Sequence, residues 1–596
     1  MLGRIRGLDG LRGIAVISVV LYHADRTYLK GGFLGVDIFF VLSGFLITTI
    51  LLDEISTTST LDRARFYQRR IRRLFPALIA LLLVSIVIAG FFVSDSAYAL
   101  GRDLPWALTF VLNLSYIFFN QSYFINIARP PLLQHLWSLA IEEQFYIVWP
   151  IVLLVLYRIK KIQYRALVFV TAISFAVAST VWMASLAIQN QYPIPNDPSR
   201  LYFGTDTHAM GLLIGCALAA VIRLDKLNPR ITPDRKALLN GIGLVAIASL
   251  VGALFAVDEY SVALYRGGFL AISVVTALVI LVLVHPGLKF SRLLSNRVLV
   301  WFGDRSYGMY IWHWPIFMML RPGIDVTFSD GMTQLLRAII LLLVSDFSYR
   351  YLELPIRQGA LARILGTWKS RGIPRPNIVT GSLVAACSAV LVFSAVQVAQ
   401  APMVSASNMS AFGGLTSMDE DPAIALSSSN DPAIPKVQPK LDIKPVVFGD
   451  SVVLGARDKL KDVLGPIAID AKVGRQPREI AERIEIRRSE KRLGDTVIIH
   501  MGTNGIVTQQ DLRPILDRLT DRKRVVVVNV RVPRPWMNPT NEMIASIVSA
   551  YPNVRLADWN AASKGHRGYF GPDGVHLTQT GARVFAELIL QTMNLP

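Results

Sequence analysis

The sequence predicts a multi-pass α-helical membrane domain of about eleven spans, followed by a soluble α/β domain with a parallel sheet. Three observations predict it. Of 596 residues 53% are hydrophobic and 17% charged, with a mean hydropathy of +0.44, which is more apolar and less charged than a soluble chain needs. Apolar runs long enough to cross a bilayer, at ~20 residues each, recur from the N-terminus to about residue 398. After residue 445 the pattern changes to short β-branched runs alternating with amphipathic helical stretches.

The spans are expected near 11–28, 33–52, 74–93, 136–157, 166–188, 204–222, 238–257, 263–284, 299–320, 333–350 and 376–398. A shorter run at 105–119 contains Asn113 and is either a twelfth span or a re-entrant dip. Lys and Arg cluster in alternate loops, at 63–73, 158–165, 223–236, 289–297 and 350–375, whereas the loops between them are poor in base. Bases of this kind stay on the cytoplasmic side. The alternation holds only if 105–119 does not cross, so the N-terminus is expected in the cytoplasm and everything after residue 399 outside the cell membrane. The first run begins after Arg12 without a small-x-small cleavage site, and reads as a retained span. A net charge of +19 would suit a nucleic-acid binder, but these bases alternate with spans instead of forming one stripe, so no nucleic-acid partner is expected. Only two cysteines, Cys216 and Cys387, are present, both in apolar runs, which leaves neither a disulfide framework nor a Cys-based zinc site; no metal is expected.

The domain division follows: 1–375 with ten spans, 376–398 as the eleventh helix, 399–444 as a flexible linker rich in Ser, Ala, Asp and Pro, and 445–596 as the outer domain. Strands are expected at 446–448, 467–469, 496–500, 525–530 and 553–558, and helices near 477–492, 509–520, 539–551 and 577–593.

Catalytic groups in parallel α/β folds collect at the carboxyl ends of strands. Gly449-Asp450-Ser451 follows the first strand, Gly474 lies in DAKVGRQ, Gly502-Thr503-Asn504-Gly505 follows TVIIH, and Asp573-Gly574-Val575-His576 precedes the last helix. A serine nucleophile needs a base, the base an orienting carboxylate, and the tetrahedral intermediate hydrogen-bond donors. Ser451 would attack, His576 would take its proton and Asp573 would hold the imidazole. The N–H groups of Ser451 and Gly474 and the Asn504 amide would form the oxyanion hole. Each piece alone has an ordinary reading: Gly-Asp-Ser as a helix cap, DxxH as a surface turn, the glycines as loops. In this order they resemble the SGNH hydrolase superfamily, with Ser451, Gly474, Asn504 and His576 matching its named residues over about 445–594. Further stretches, LGDTVIIHMGTNG, VNVRVPRPW and GYFGPDGVHLT among them, resemble the outer domain of bacterial peptidoglycan O-acetyltransferases. Trp536 and Arg534 either line an acceptor cleft or form a turn held by Pro533 and Pro535.

Ionisable residues inside spans are costly and imply function by default. Arg12 and His23, eleven positions apart on the first span, share a helix face about 16.5 Å apart. For Arg12, near the cytoplasmic mouth, snorkelling is the plainer alternative. His135 and Glu142, seven apart, also share a face, and Glu142-Glu143 are two adjacent carboxylates entering a span. With Trp137 and Ser138 in HLWSLAIEEQFY, Asp37 in GGFLGVDIFFVLSGFLI, Arg70 and Arg73 in RRIRRLFP, Ser306, Tyr307 and His313 in GDRSYGMYIWHWP, and Glu353 in YLELPIR, residues 5–360 resemble the acyltransferase-3 family of integral membrane acyltransferases.

That resemblance implies a cytoplasmic acyl donor, acetyl-CoA, as substrate. The arginines between 63 and 73 would meet its phosphates, since guanidinium suits phosphate geometry; a positive-inside loop touching anionic lipid is the plainer alternative. The expected function is membrane O-acetylation: acetyl moves outward from acetyl-CoA, with His23 as base or transient carrier and Glu142 among the catalytic groups. Through a Ser451 acetyl-enzyme it reaches a hydroxyl of an extracytoplasmic glycan, peptidoglycan muramic acid by the resemblance. The alternatives are another surface polysaccharide or glycolipid as acceptor, a deacetylating esterase, and a transporter using the intramembrane His, Arg and Glu.

Overall fold

The structure is a computed structural model that describes residues 4–401 and 445–594, apart from 26–27, 94–95, 120, 124–128, 160–161, 191, 194–196, 322–324, 327, 361–362, 364–377, 473–474, 476, 506, 533–535 and 572–573. The chain divides into two compact units, one of Met1–Pro193 with Asp197–Ala401 and the other essentially Pro402–Pro596.

Among the described residues, eight helices are long and apolar enough to cross a membrane: Arg6–Ala24, Gly32–Thr58, Arg63–Phe91, Gln134–Ile159, Tyr164–Gln189, Pro233–Ala256, Leu264–Val284 and Asp330–Arg357. Each coincides with an expected span. Of the other three of the eleven, two are interrupted. The 204–222 run is divided into Thr205–His208 and Met210–Val221, because Thr207 and His208 are held sideways, the hydroxyl on the Leu201 carbonyl (2.7 Å) and the imidazole on that of Tyr202 (2.9 Å). The 299–320 run is divided into Arg297–Asp304 and Ser306–Met319 at Arg305, whose guanidinium turns away to Asp346 at 2.7 Å. The last run forms Ile378–Gln400, of which Ala386–Gln400 counts as a shorter apolar helix.

The 105–119 run falls in two short helices, Ala97–Leu108 and Leu112–Phe118, separated by Phe110 at φ 55°. Twelve and seven residues rise about 18 and 10 Å, too little to cross about 30 Å of hydrocarbon. Asn113 has a purpose here: it donates to the Phe203 carbonyl and to Thr205, while Gln144 donates to its carbonyl oxygen at 2.8 Å. This buried amide network ties the dip to two neighbouring helices with its polar atoms paired.

Small residues set the helix crossings, as expected where close backbone approach drives packing. A Cβ on Gly44 would lie 1.9 Å from the Leu212 carbonyl, and one on Gly215 2.2 Å from that of Val41, so Gly32–Thr58 and Met210–Val221 press together at reciprocal glycines. Gly303 plays the same part against the Asp9 carbonyl.

The C-terminal unit holds five parallel strands, β1 (Val446–Gly449), β2 (Ala468–Ala471), β3 (Thr496–His500), β4 (Arg524–Val528) and β5 (Val554–Ala557), in the order β2-β1-β3-β4-β5. All five were expected within one or two residues. Side chains alternate across a strand, and here both faces are buried: Val446, Phe448, Val525 and Val527 enter one apolar core, Val447, Val526 and Val528 the other. Strands covered on both faces read as continuous apolar runs, which is why VVVV appears in the sequence. The expected helices are Pro477–Ser489, Gln509–Asp517, Met537–Val548 and Gln579–Met593; Arg457–Leu464 is an additional one.

Candidate active sites

Ser451 directly follows β1 and opens the short helix Ser451–Gly455, whose entry is fixed by the Asp450 carboxylate accepting from the Val452 N–H at 3.0 Å. The Ser451 hydroxyl is fully buried, and its oxygen has no hydrogen-bond partner among the described residues. β3 pairs beside β1 with Phe448 opposite Ile499, so the turn after His500 emerges at the same carboxyl edge as Ser451. Asn504 lies on that turn, its amide donating to the Arg475 carbonyl at 3.4 Å while its own oxygen is unbonded among the described residues. Arg475 follows Gly474, so this contact brings the second and third motif segments together. Gly502 makes the turn possible at φ 111°, a conformation few side-chain-bearing residues adopt.

Trp536 is buried, and its indole N–H donates to the Gly502 carbonyl at 3.0 Å. The ring thereby buttresses the Asn504 turn. His500, not singled out from sequence, is buried 3.8 Å from Asp450 and contacts Thr503 at 3.4 Å, thus linking the first and third segments. His576 sits half-buried ahead of Gln579–Met593 on a loop closed by the Gly571 N–H donating to its carbonyl at 2.7 Å and by the Phe570–Leu577 bridge. Gly474 and Asp573 lie outside the described residues, as do Pro533, Arg534, Pro535 and the linker from 402.

In the membrane unit, a cavity of about 290 Å³ collects residues from five separate segments. Arg12, Arg70, Arg73, Ser138, Glu142, Ser306 and Tyr307 all line it, as do Ser43, Tyr146 and Tyr310. Glu142 accepts from the Ser43 hydroxyl at 2.8 Å, Arg70 lies over the Tyr146 ring at 4.0 Å, and Tyr307 donates to the Leu74 carbonyl at 2.7 Å. Four guanidinium groups, those of Arg12, Arg69, Arg70 and Arg73, against one carboxylate leave the cavity suited to an anion, while Phe39, Leu46 and Ile50 give it an apolar wall. Glu143, next to Glu142, does not line it. Glu353 is buried beside it, accepting from Ser348 at 3.2 Å, and Gly308 leaves room for its carboxylate.

His23, His135 and His313 form a separate cluster. His313 Nε2 is 3.1 Å from His23 Nδ1, His23 Nε2 is 2.9 Å from the Tyr123 hydroxyl, and the His135 and His313 rings are 5.6 Å apart. His135 and Glu142 therefore share a helix face but serve different sites. Tyr310 joins the two: it lines the cavity, its hydroxyl touches Ser138 at 2.5 Å and donates to the His135 carbonyl at 2.8 Å, and its own carbonyl bonds His313. The signal for Tyr310 was its three-residue spacing from both Tyr307 and His313. Asp37 belongs to neither site. It pairs with His208 at 2.9 Å, fully buried, inside an aromatic box where Trp137, 5.7 Å from His208, is also found. Nothing in the sequence pattern singled out His208.

Comparison with known proteins matches residues 5–345 to a family model described as an acyltransferase domain. The chain is 35% identical to the peptidoglycan O-acetyltransferase OatA of Listeria monocytogenes, over 99% of this chain and 98% of that one. It is 33% identical to the O-acetyltransferase OatA of Staphylococcus aureus, over 98% and 96%. Among solved structures it is similar to the C-terminal catalytic domain of a Streptococcus pneumoniae peptidoglycan O-acetyltransferase A with a methylsulfonyl adduct, at 24% identity and TM-score 0.24, over 25% of this chain and 92% of that one.

Proposed function

Since this chain belongs to the acyltransferase-3 family, we propose that it is a two-part O-acetyltransferase that carries acetyl from acetyl-CoA on the cytoplasmic side to a hydroxyl of peptidoglycan muramic acid outside. The observation that carries the reading is the cavity, which brings Arg12, Arg70, Arg73, Glu142 and Tyr307 together from distant segments. At about 290 Å³ it lies at the small end of ligand sites and suits the thioester arm of a CoA better than its nucleotide. The arginines would hold the anionic end. Arg12 and His23 stand on one helix eleven positions apart, about 16.5 Å, so the same helix connects the donor site to the histidine pair. His23, bonded to His313 and Tyr123, would act as base or transient acyl carrier. In this reading the N-terminus is cytoplasmic and the C-terminal unit extracytoplasmic.

At the second site Ser451 Oγ attacks the acyl carbonyl and its proton passes to His576, which Asp573 orients; the acyl-carrier bond breaks and an acetyl-serine ester forms. The developing oxyanion is met by the Ser451 and Gly474 N–H groups and the Asn504 amide. His576 hands that proton to the departing carrier; the sugar hydroxyl then gives its proton to His576 and attacks the ester, and His576 returns it to Ser451 Oγ as the O-acetyl sugar is released.

The test is a double dissociation in the full chain. His23→Ala should stop glycan acetylation from acetyl-CoA yet keep Ser451-dependent hydrolysis of a soluble acetyl ester, whereas Ser451→Ala should lose both. Wild-type glycan acetylation by either variant refutes the series.

A further inference from the structure

The His23–His313 contact joins the end of one helix to the middle of another, and a third helix holds the C-terminal ends of both. His23 is the residue before Ala24, where Arg6–Ala24 stops; His313 stands one turn before Phe317 in Ser306–Met319, which is capped at Leu320. On Asp330–Phe347, Gln334 and Arg337 are three positions apart and so share a face. Gln334 donates to the Ala24 carbonyl at 2.9 Å. Arg337 donates through Nε to the Leu320 carbonyl at 3.0 Å, through Nη2 to that of Phe317 at 3.0 Å, and through Nη1 to the Gln334 side-chain oxygen at 3.3 Å. The guanidinium also lies over the Phe317 ring at 4.9 Å and is buried.

The last four carbonyls of a helix have no partner within it, and in a bilayer an unmet carbonyl is costly. One side-chain couple meets three such carbonyls across two helices. Because the guanidinium is planar and presents its donors in a fixed fork, the positions of Phe317 and Leu320 are set relative to each other and, through Gln334, relative to Ala24. The two imidazoles thus inherit their separation from this bracket, not from any apolar packing alone.

We propose that Gln334 and Arg337 are positioning residues that set the spacing of His23 and His313, and through it the rate of the acyl step at that pair; this rests on the reading that His23 takes part in that step. An ordinary helix cap would affect only stability. The bracket predicts a loss of rate in a folded protein with the donor site intact, since neither residue lines the arginine cavity.

The experiment compares Arg337→Lys, Gln334→Met and His23→Ala in the purified full chain, following CoA release from acetyl-CoA with a glycan acceptor, together with the melting temperature in detergent. Lysine keeps the charge but has no fork, and methionine removes the bond to Ala24 while nearly conserving volume. The expected result is a kcat about tenfold lower for both bracket variants, with KM for acetyl-CoA and the melting temperature close to wild type. If Arg337→Lys fails to fold, Gln334→Met decides. Wild-type kcat in Gln334→Met, or a raised KM as its main effect, overturns the bracket while an inactive His23→Ala leaves the functional reading in place. A His23→Ala chain at wild-type rate overturns both.

Discussion

Removing the carboxylate at residue 470 should unfold the second site's foundation. Asp470 sits on edge strand β2, its side chain 2% exposed. Arg475 reaches one oxygen at 2.8 Å, while Arg483 at 2.9 Å and Arg487 at 3.2 Å reach the other. Burial by itself would raise the Asp470 carboxyl, but the hydrogen bonds from Arg483 and Arg475 and their charges outweigh it and hold the group below its ordinary 3.8. In Asp470→Asn, Arg483 and Arg487 can turn to water, being 24% and 15% exposed, whereas Arg475 at 4% cannot. The loss therefore counts one broken buried pair, about 3–5 kcal/mol. In a domain of about 150 residues that lowers the melting temperature by about 10–15 °C. The unit has its own two apolar cores, so residues 440–596 suffice for a melt followed by circular dichroism. The sign of the pH dependence follows from the lowered pKa: the stabilisation is complete above the unfolded value near 3.8 and fades as pH falls through the folded value beneath it. The gap between variant and wild type should be full at pH 7 and narrow below pH about 3.8. A shift under about 3 °C at pH 7, or a gap that widens in acid, refutes the argument.

Two more predictions concern the membrane unit. Arg73→Gln removes one of four cavity guanidinium groups and should raise KM for acetyl-CoA about tenfold or more, at about 1.5–3 kcal/mol for a hydrogen bond to a charged group, while hydrolysis of a soluble ester at Ser451 is unchanged; equal KM values would remove the donor from this cavity. Gly44→Val places a Cβ 1.9 Å from the Leu212 carbonyl, so the two helices must separate, at a cost of about 1–3 kcal/mol or more. A lower melting temperature in detergent is expected, and an unchanged one would show that the crossing tolerates side chains there.

Much of the architecture and of both sites was readable along the chain, for reasons particular to each. The strands were found because burial on both faces forces β-branched runs such as VVVV, and eight spans because a bilayer demands long apolar helices. Arg12 and Glu142 announced themselves as charges where charge is costly, and Arg70 and Arg73 as part of the arginine run that precedes a span. His208 gave no such signal, since an imidazole in an apolar run is an ordinary residue until its partner is known.

What the sequence by itself determined is therefore whatever is written in local period and in the cost of a residue's own surroundings: the two-part division, the helices and strands, and the membership of the motifs. Only the tertiary structure decided which of these residues meet. Asp37 pairs with His208 across 171 positions, Ser138 with Tyr310 across 172, and His313 with His23 across 290. It placed Asp37 against His208 and outside the arginine-lined cavity, separated His135 from Glu142, and broke two apolar runs at His208 and Arg305. Pairings at such separations leave no trace in a window of a few helical turns, because the partners are brought together by how helices cross, and the crossings depend on glycines such as Gly44 and Gly215 facing carbonyls of another segment.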